Sequence, residues 1–230
     1  MRVFSIVSHG HSKYVKKLIQ SLETFFIPED PNFRIIIVNN KPEDKCNVSS
    51  DAFDITVIEN LRPKGFSHNH NLVFEIYQPD VLYIVNPDIS FYEICLEKDI
   101  LNQLPEFGLA SPKIVCNNKS ELDFYRKPLT LLNLIRRKLS IDEKGSSTWF
   151  AGMFLVTNKK TFKRVNGFDT KYFMYIEDCD LSYRVIEAGG KLEVIKNFNV
   201  IHDERRMSFK SMPHFKWHMK SLLYFWKTHR

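Results

Sequence analysis

Three carboxylates lie close together in the second half of the chain, directly after an aromatic run. Glu177, Asp178 and Asp180 follow residues 172–175, Tyr-Phe-Met-Tyr, and a helical pattern of apolar residues continues to the glycines at 189–190. Carboxylates at the start of a helix lie at the positive end of its dipole, so they ionise easily. An ionised carboxylate beside an aromatic surface can accept a proton from a sugar hydroxyl. Capping of a surface helix is the structural alternative, and the surrounding aromatic residues and glycines favour the catalytic interpretation.

Further polar residues follow predicted β-strands. Strands are predicted over 2–8, 33–38, 54–58, 81–85, 108–115, 192–195 and 199–201. One helix is predicted to follow Ser12, which is expected to cap it, and three others are predicted over 66–77, 95–104 and 211–228. This alternation is typical of an α/β fold with a mainly parallel sheet covered by helices on both faces. Ligands bind such sheets beyond the carboxyl ends of the strands. The polar groups predicted there are Ser8-His9, Asn39-Asn40 and Asn86-Pro87-Asp88.

Asp88 is a candidate metal ligand. Pro87 fixes the turn after the strand, and a carboxylate at this edge can hold a divalent ion against a diphosphate. A plain turn is the alternative, and the position at the sheet edge favours the ion. The two His-x-His pairs, at 9/11 and 68/70, have no Cys or carboxylate partner at ligand spacing, so no zinc site is expected.

A longer pattern resembles the inverting family-2 glycosyltransferases. It reads Trp149-x-x-Gly152, then Gly-Phe-Asp at 167–169, then Phe-Met-Tyr-x-Glu-Asp-x-Asp-Leu at 173–181. Gly65-Phe66 with Asn71 is similar to that family's Gly-Phe-x-x-x-x-Asn, which borders the nucleotide. Within the family the chain looks most like the bacterial rhamnosyltransferases of O-antigen and capsule assembly. The resemblance implies a GT-A fold, which is Rossmann-like.

The resemblance also implies roles for individual residues. Asp178 is the expected general base, and Asp88 with His202 is expected to hold Mg²⁺ or Mn²⁺. A histidine that ends a strand is more often structural, but the order and spacing relative to the Glu-Asp pair favour a ligand. The expected nucleotide-binding residues are Ser8, His9, Asn39 (or Asn40), Gly65, Asn71 and Asn86, and the expected acceptor-binding residues are Trp149, Gly152 and Glu177.

Two positions depart from the family pattern. Asn86 stands where the family's Asp-x-Asp metal motif begins, so Asp88 is the expected direct ligand. Asn39 stands where an Asp usually binds the base, and an amide offers both a donor and an acceptor. The implied reaction is transfer of L-rhamnose from dTDP-rhamnose to a lipid-linked saccharide. Transfer from a UDP-sugar, or a degenerate homologue that only binds a partner transferase at the membrane, are the alternatives.

Length and composition limit the remaining possibilities. The length of 230 residues predicts a single domain. The resemblance implies that this is a glycosyltransferase domain over 1–204, with a nucleotide-sugar half at 1–115 and an acceptor half at 148–204. No apolar run approaches the roughly 18 residues of a membrane span, and no signal-peptide pattern opens the sequence, so a cytoplasmic protein is expected. The four scattered cysteines are expected to be reduced thiols.

The net positive charge comes from the predicted C-terminal helical segment, 205–230. The net charge is +6, and this segment alone has seven basic and no acidic residues. No nucleic-acid-binding module is found, so nucleic acid is not an expected partner. A basic amphipathic helix with tryptophans fits the anionic inner face of the cytoplasmic membrane, and packing on the domain is the alternative. The same two interpretations apply to a basic amphipathic segment at 126–139.

Overall fold

The structure is a computed structural model and describes residues 1–41, 43–116, 119–122, 130, 149–203 and 212–229. Its elements, in chain order, are β1 (Arg2–Ser8), α1 (Ser12–Phe25), β2 (Phe26–Ile27), β3 (Phe33–Asn39), β4 (Asp54–Glu59), α2 (Phe66–Tyr77), β5 (Val81–Val85), β6 (Ile89–Phe91), β7 (Cys95–Leu96), α3 (Glu97–Leu101), β8 (Gly108–Cys116), β9 (Lys119–Leu122), β10 (Phe154–Asn158), α4 (Lys159–Arg164), α5 (Glu177–Glu187), β11 (Lys191–His202) and α6 (Met212–Thr228). The segment 126–139 and the start of the predicted C-terminal segment lie outside the described residues.

One large sheet organises the molecule. Its strand order is β4-β3-β1-β5-β10-β8-β11-β6, and β9 pairs with β8 off this path. The first four strands are parallel, β10 runs antiparallel to β5 and β8, and β11 is again parallel to β8. The carboxyl ends of β1, β3, β4 and β5 therefore meet at one edge. The predicted α/β fold with a mainly parallel sheet is confirmed.

Helices cover both faces of the sheet because apolar residues alternate along the parallel strands. On β3, Ile35 and Ile37 face the core that contains α1, whereas Ile36 and Val38 face the core that contains residues of α2 and α5. Each of these four isoleucine and valine side chains is fully buried. Alternation with both sides buried is what a two-sided α/β sheet requires.

Several predicted boundaries are wrong, each for a local reason. The helix predicted over 95–104 is a short strand, β7, followed by the single turn of α3, because the buried Glu97 is held by Arg2 and Tyr83, each at 2.8 Å. The two strands predicted near the C-terminus are one strand, β11, with a register shift between Ile195 and Asn199. Ser12 does not cap α1, since it is the first helical residue and its hydroxyl donates to Asp44 at 3.4 Å.

The C-terminal helix α6 has two different faces. Leu222 and Phe225 are buried and share a cluster with Trp149, Tyr172, Ile176 and Cys179, so the helix packs on the domain. Four other large apolar residues of the helix are exposed, namely Met212, Phe215, Met219 and Leu223. Among the described residues, no helix is both long and apolar enough to cross a bilayer.

Candidate active site

The Glu177-Asp178 pair opens α5, as the aromatic-to-acidic pattern predicts. Asp178 is held by two backbone amides: Gly152 donates to its Oδ2 at 2.7 Å, and Cys179 donates to its Oδ1 at 2.8 Å. A Cβ at position 152 would lie 3.2 Å from the Asp178 Cβ, so glycine allows this close approach. Gly152 therefore acts on the carboxylate through its backbone.

Glu177 differs from its neighbour in its surroundings. It is 7% exposed, and its Oε2 has no hydrogen-bond partner among the described residues. Burial, together with the nearby Asp178 and Asp180 carboxylates, raises the pKa of Glu177 well above its usual value, so the protonated form is favoured. A neutral acid thus lies beside a carboxylate that two amides hold in place.

Asp180, the third carboxylate, is held by two basic side chains. Its Oδ2 pairs with Arg184 at 2.7 Å, and its Oδ1 lies 2.9 Å from Nε2 of His229, just beyond α6. Arg184 also donates to the carbonyl of Gly167 at 2.8 Å. The triplet therefore divides into a pair at the site and a third residue that ties α5 to its surroundings.

Asp88 and His202 are brought together by strand pairing. His202 ends β11 and is in register with Ile89 of β6, so its Nε2 lies 3.4 Å from Oδ1 of Asp88. Asp88 Oδ1 and His202 Nδ1 are buried and have no hydrogen-bond partner among the described residues. The carboxylate oxygen suits Mg²⁺ or Mn²⁺, and the imidazole nitrogen suits a transition-metal ion such as Mn²⁺, so the two residues fit a divalent ion.

The ion would need further ligands from outside the protein. In the part of the chain that the structure describes, no group of three or more His, Cys, Asp or Glu side chains could hold a metal. A two-residue protein site leaves coordination positions for diphosphate oxygens and water, which is how Mg²⁺ is commonly bound.

His70, from one of the two His-x-His pairs, is buried and bonded to Ser5 at 2.7 Å, and burial lowers its pKa to about 3.

The nucleotide residues predicted at the ends of β1 and β3 adjoin one another. Ser8 and Asn39 are in register, and Ser8 O accepts from the Asn40 amide at 2.7 Å. Asn39 is fully buried, and its Nδ2 donates to Glu59 Oε2 at 2.8 Å and to Asp44 O at 2.9 Å. This amide orients the Glu59 carboxylate at the end of β4.

Asn40 is the centre of a network that the sequence does not reveal. Its Oδ1 accepts from Asn60 Nδ2 at 2.9 Å and from the Lys64 amide at 2.8 Å, and its Nδ2 lies 3.4 Å from His9 Nδ1. Asn60 also donates to Asn69 on α2 at 2.8 Å. The loop that leads to α2 is therefore braced by amides, and Asn60 is missed because a lone Asn after a strand has no distinctive pattern.

Gly65 and Asn71 connect α2 to the aromatic segment. A Cβ at Gly65 would meet Phe173 O at 2.6 Å, and the Phe66 amide donates to the same carbonyl at 3.1 Å. Asn71 bonds both the carbonyl and the amide of Phe168, at 2.8 and 2.9 Å. Their contacts join two halves of the chain, which explains why glycine and an amide are needed here.

Trp149 and Asn86 complete the set of predicted residues. Trp149 is 7% exposed and packs with residues of α6, so most of its ring is in the core. The backbone N–H of Asn86 donates to the carbonyl of Met153 at 2.9 Å, which joins the Asp88 turn to the Gly152 segment. Ser182 was missed: its hydroxyl accepts from the Phe150 amide at 3.1 Å, and its position four residues after Asp178 is the only sequence signal.

The chain is similar in sequence and in fold to known proteins. Residues 4–174 match the sequence model of the family described as Glycosyl transferase family 2, and residues 136–214 match the one described as the N-terminal domain of galactosyltransferase. Rhamnosyltransferase WbbL of Escherichia coli (strain K12) is 30% identical over 251 residues, which cover 94% of this chain and 89% of WbbL.

Two further proteins are similar over less of their own length. The N-acetylglucosaminyl-diphospho-decaprenol L-rhamnosyltransferase of Mycobacterium tuberculosis (strain H37Rv) is 33% identical over 78 residues, 34% of this chain and 25% of that protein. The crystal structure of GalNAc-T7 with UDP, GalNAc and Mn²⁺ aligns with a TM-score of 0.66 and 14% identity, covering 97% of this chain and 47% of that one. At this identity the likeness concerns the fold.

Proposed function

Because the chain belongs to glycosyl transferase family 2 and is a glycosyltransferase, we propose that it transfers L-rhamnose from dTDP-rhamnose to a lipid-linked saccharide, with inversion. The rhamnosyl donor is supported by the identity to WbbL along most of both chains. The lipid-linked acceptor is supported by the name of the mycobacterial relative, which includes a diphospho-decaprenol. Synthesis of a cell-surface polysaccharide such as O-antigen is the corresponding process.

The observation that carries the proposal is the Asp178 carboxylate, which two amides orient at the start of α5. Asp178 accepts the proton of the acceptor hydroxyl as that oxygen bonds to the anomeric carbon. The bond from the anomeric carbon to the diphosphate breaks on the opposite face, and its electron pair leaves with the diphosphate. An oriented carboxylate within reach of the hydroxyl is a suitable general base.

The other residues bind and orient the substrates in this proposal. Asp88 and His202 would hold Mg²⁺ or Mn²⁺, and the ion, when bound, supplies positive charge that neutralises the leaving diphosphate. Glu177, kept neutral by burial, can donate a hydrogen bond to the acceptor without adding a second negative charge. The segment 1–115 contributes the nucleotide side through the Ser8, Asn39 and Asn86 strand ends, and 148–204 contributes the acceptor side.

We also place the reaction on the inner surface of the cytoplasmic membrane, where a lipid-linked acceptor would be. The support is the outward side of α6, which has four exposed apolar residues and the exposed lysines Lys216, Lys220 and Lys227. An interfacial helix combines such an apolar stripe with lysines that pair with anionic headgroups.

A donor panel tests the proposed reaction. Thermal shift should give the largest stabilisation with dTDP-rhamnose among dTDP- and UDP-sugars, because stabilisation follows affinity. Product formation with a synthetic lipid-diphosphate saccharide should require the same donor. Asp178→Asn should bind the donor normally and lose about 100-fold or more of turnover, the usual size for a general base.

The outcomes of the panel separate the alternatives. Preference for a UDP-sugar would replace the donor and keep the enzyme class. Donor binding without turnover by the unaltered protein would favour a non-catalytic binding partner. Near-normal turnover by Asp178→Asn would remove this residue from the base role.

A further inference from the structure

The backbone just before the Glu177-Asp178 pair is in an unusual conformation. Tyr175 and Ile176 both have φ of 71°, in the left-handed region. This region is rare for residues other than glycine, and it is especially unfavourable for β-branched isoleucine. Such a conformation persists only where the surroundings hold it in place, and it occurs preferentially at functional sites.

Helix α6 contacts three consecutive residues of this turn, 174–176. Ser221 Oγ donates to the carbonyl of Met174 at 3.0 Å, and the Tyr175 hydroxyl lies 2.7 Å from Nδ1 of His214. The side chain of Ile176 is buried in the cluster that contains Leu222 and Phe225. Each residue from 174 to 176 is therefore fixed by a different contact with the same helix.

Residues of α6 and just beyond its end also contact the chain before and after the turn. Tyr224 donates from its hydroxyl to Asp169 Oδ2 at 2.9 Å, five residues before Met174. His229, just beyond the helix end, contacts Asp180 Oδ1 at 2.9 Å and Glu187 Oε1 at 3.3 Å. The segment from Asp169 to α5 is thus bound on both sides of the left-handed turn.

We infer that α6 is a positioning element for catalysis, and that Ser221 and His214 are positioning residues that set the orientation of Asp178 through the turn at 174–176. The inference rests on the proposed function, because it assigns Asp178 as the base. Ser221 donates to the Met174 carbonyl and His214 contacts the Tyr175 hydroxyl, so both act on the turn that precedes Asp178. A displacement of about 1 Å at a reacting group can cost roughly 100-fold in rate, so small changes in this turn are sufficient.

Two conservative substitutions test the inference. Ser221→Ala removes the hydroxyl that donates to Met174, and Tyr175→Phe removes the hydroxyl that contacts His214. Each should lower kcat by about tenfold or more and leave the donor Kd within about twofold, because the donor is bound at the strand ends. Hydrogen exchange should become faster at the amides of 176–180, a result that does not depend on turnover.

Thr157→Val is the matched control. It removes a buried hydroxyl that donates to the Gly108 carbonyl at 3.3 Å, at the end of β10 away from the Asp178 site. It should change neither kcat nor exchange at 176–180. Unchanged kcat and exchange in both test variants would overturn the positioning role, and so would a parallel loss of donor binding and kcat. If the unaltered protein has no turnover, the proposed reaction fails, and the exchange data alone decide the positioning role.

Discussion

At the scale of single residues, the neighbouring carboxyl groups Glu177 and Asp178 have opposite environments. Asp178 accepts two backbone hydrogen bonds, whereas Glu177 is buried with one oxygen lacking a partner among the described residues. Two carboxylates this close would repel each other if both were ionised, and protonation of the buried one removes the repulsion. Burial and the nearby carboxylates therefore favour the protonated form of Glu177.

This assignment predicts a pH dependence of stability. Because the folded-state pKa of Glu177 is raised, the folded protein keeps a proton that the unfolded chain releases above about pH 4.3. The free energy of unfolding should therefore fall as pH rises from there to the raised pKa, by about 1.4 kcal/mol for each pH unit in that interval. The glutamine in Glu177→Gln is uncharged at every pH. Urea unfolding at pH 5 and pH 8 should therefore show a smaller fall in the free energy of unfolding for this variant than for the unaltered protein.

Glu75→Gln is the control, since Glu75 is exposed on α2. Its pH dependence should equal that of the unaltered protein. The same fall in Glu177→Gln as in the unaltered protein would show that Glu177 ionises freely, and the neutral role would then be lost.

Some residue roles could be predicted from the sequence and others could not. The order of acidic residues along α5 identified the Glu-Asp pair, because helix starts and aromatic runs are local patterns. The separation of Asp180 from this pair depends on Arg184 and on His229, which is 49 residues away in the chain. Burial of Trp149 likewise depends on α6, so no local pattern could show that its ring lies in the core.

At the scale of elements, strand ends were the most predictable feature. The bounds of β1, α2 and β5 match the sequence prediction to the residue, because their apolar patterns end at Gly, Pro or polar clusters. The break between β7 and α3 was not predictable, since it depends on the buried Glu97 and its distant partners Arg2 and Tyr83. Local periodicity thus predicts the bounds of β1, α2 and β5, and it fails at β7 and α3, where the contacts of a buried charged residue determine the structure.

The meeting of two strand ends at Asp88 and His202 leads to a prediction about metal dependence. Asp88→Ala and His202→Ala should each weaken donor binding by about tenfold or more in Mg²⁺ or Mn²⁺ and have little effect in EDTA. Titration calorimetry with dTDP-rhamnose in both conditions measures this. Asp51→Ala, at an exposed position, is the control and should bind as the unaltered protein does. Full activity of the unaltered protein in EDTA would contradict both metal roles.

At the scale of the whole molecule, charge and exposed apolar area coincide on one side of α6. The remainder of the chain, 1–204, has a net charge of −1, so the net positive charge of the protein comes from the C-terminal segment. Met212 and Leu223 are 69% and 60% exposed, respectively, and Lys216, Lys220 and Lys227 lie beside this stripe. Because Leu222 and Phe225 are the residues that pack on the domain, membrane contact by the exposed residues and packing do not compete for the same side chains.

This arrangement predicts reversible, salt-sensitive binding to anionic vesicles. Each lysine near an anionic surface contributes about 1 kcal/mol, and salt screens the attraction. Sedimentation with anionic vesicles should fall steeply with salt and be lost when Lys216, Lys220 and Lys227 become Glu. The same charge change on α1, at the exposed Lys13, Lys16 and Lys17, should leave most of the binding intact. Both triple variants should keep their affinity for the nucleotide sugar. Equally weak binding of the unaltered protein to neutral and anionic vesicles would show that the outward face of α6 has no lipid partner, and that the acceptor is reached by another route.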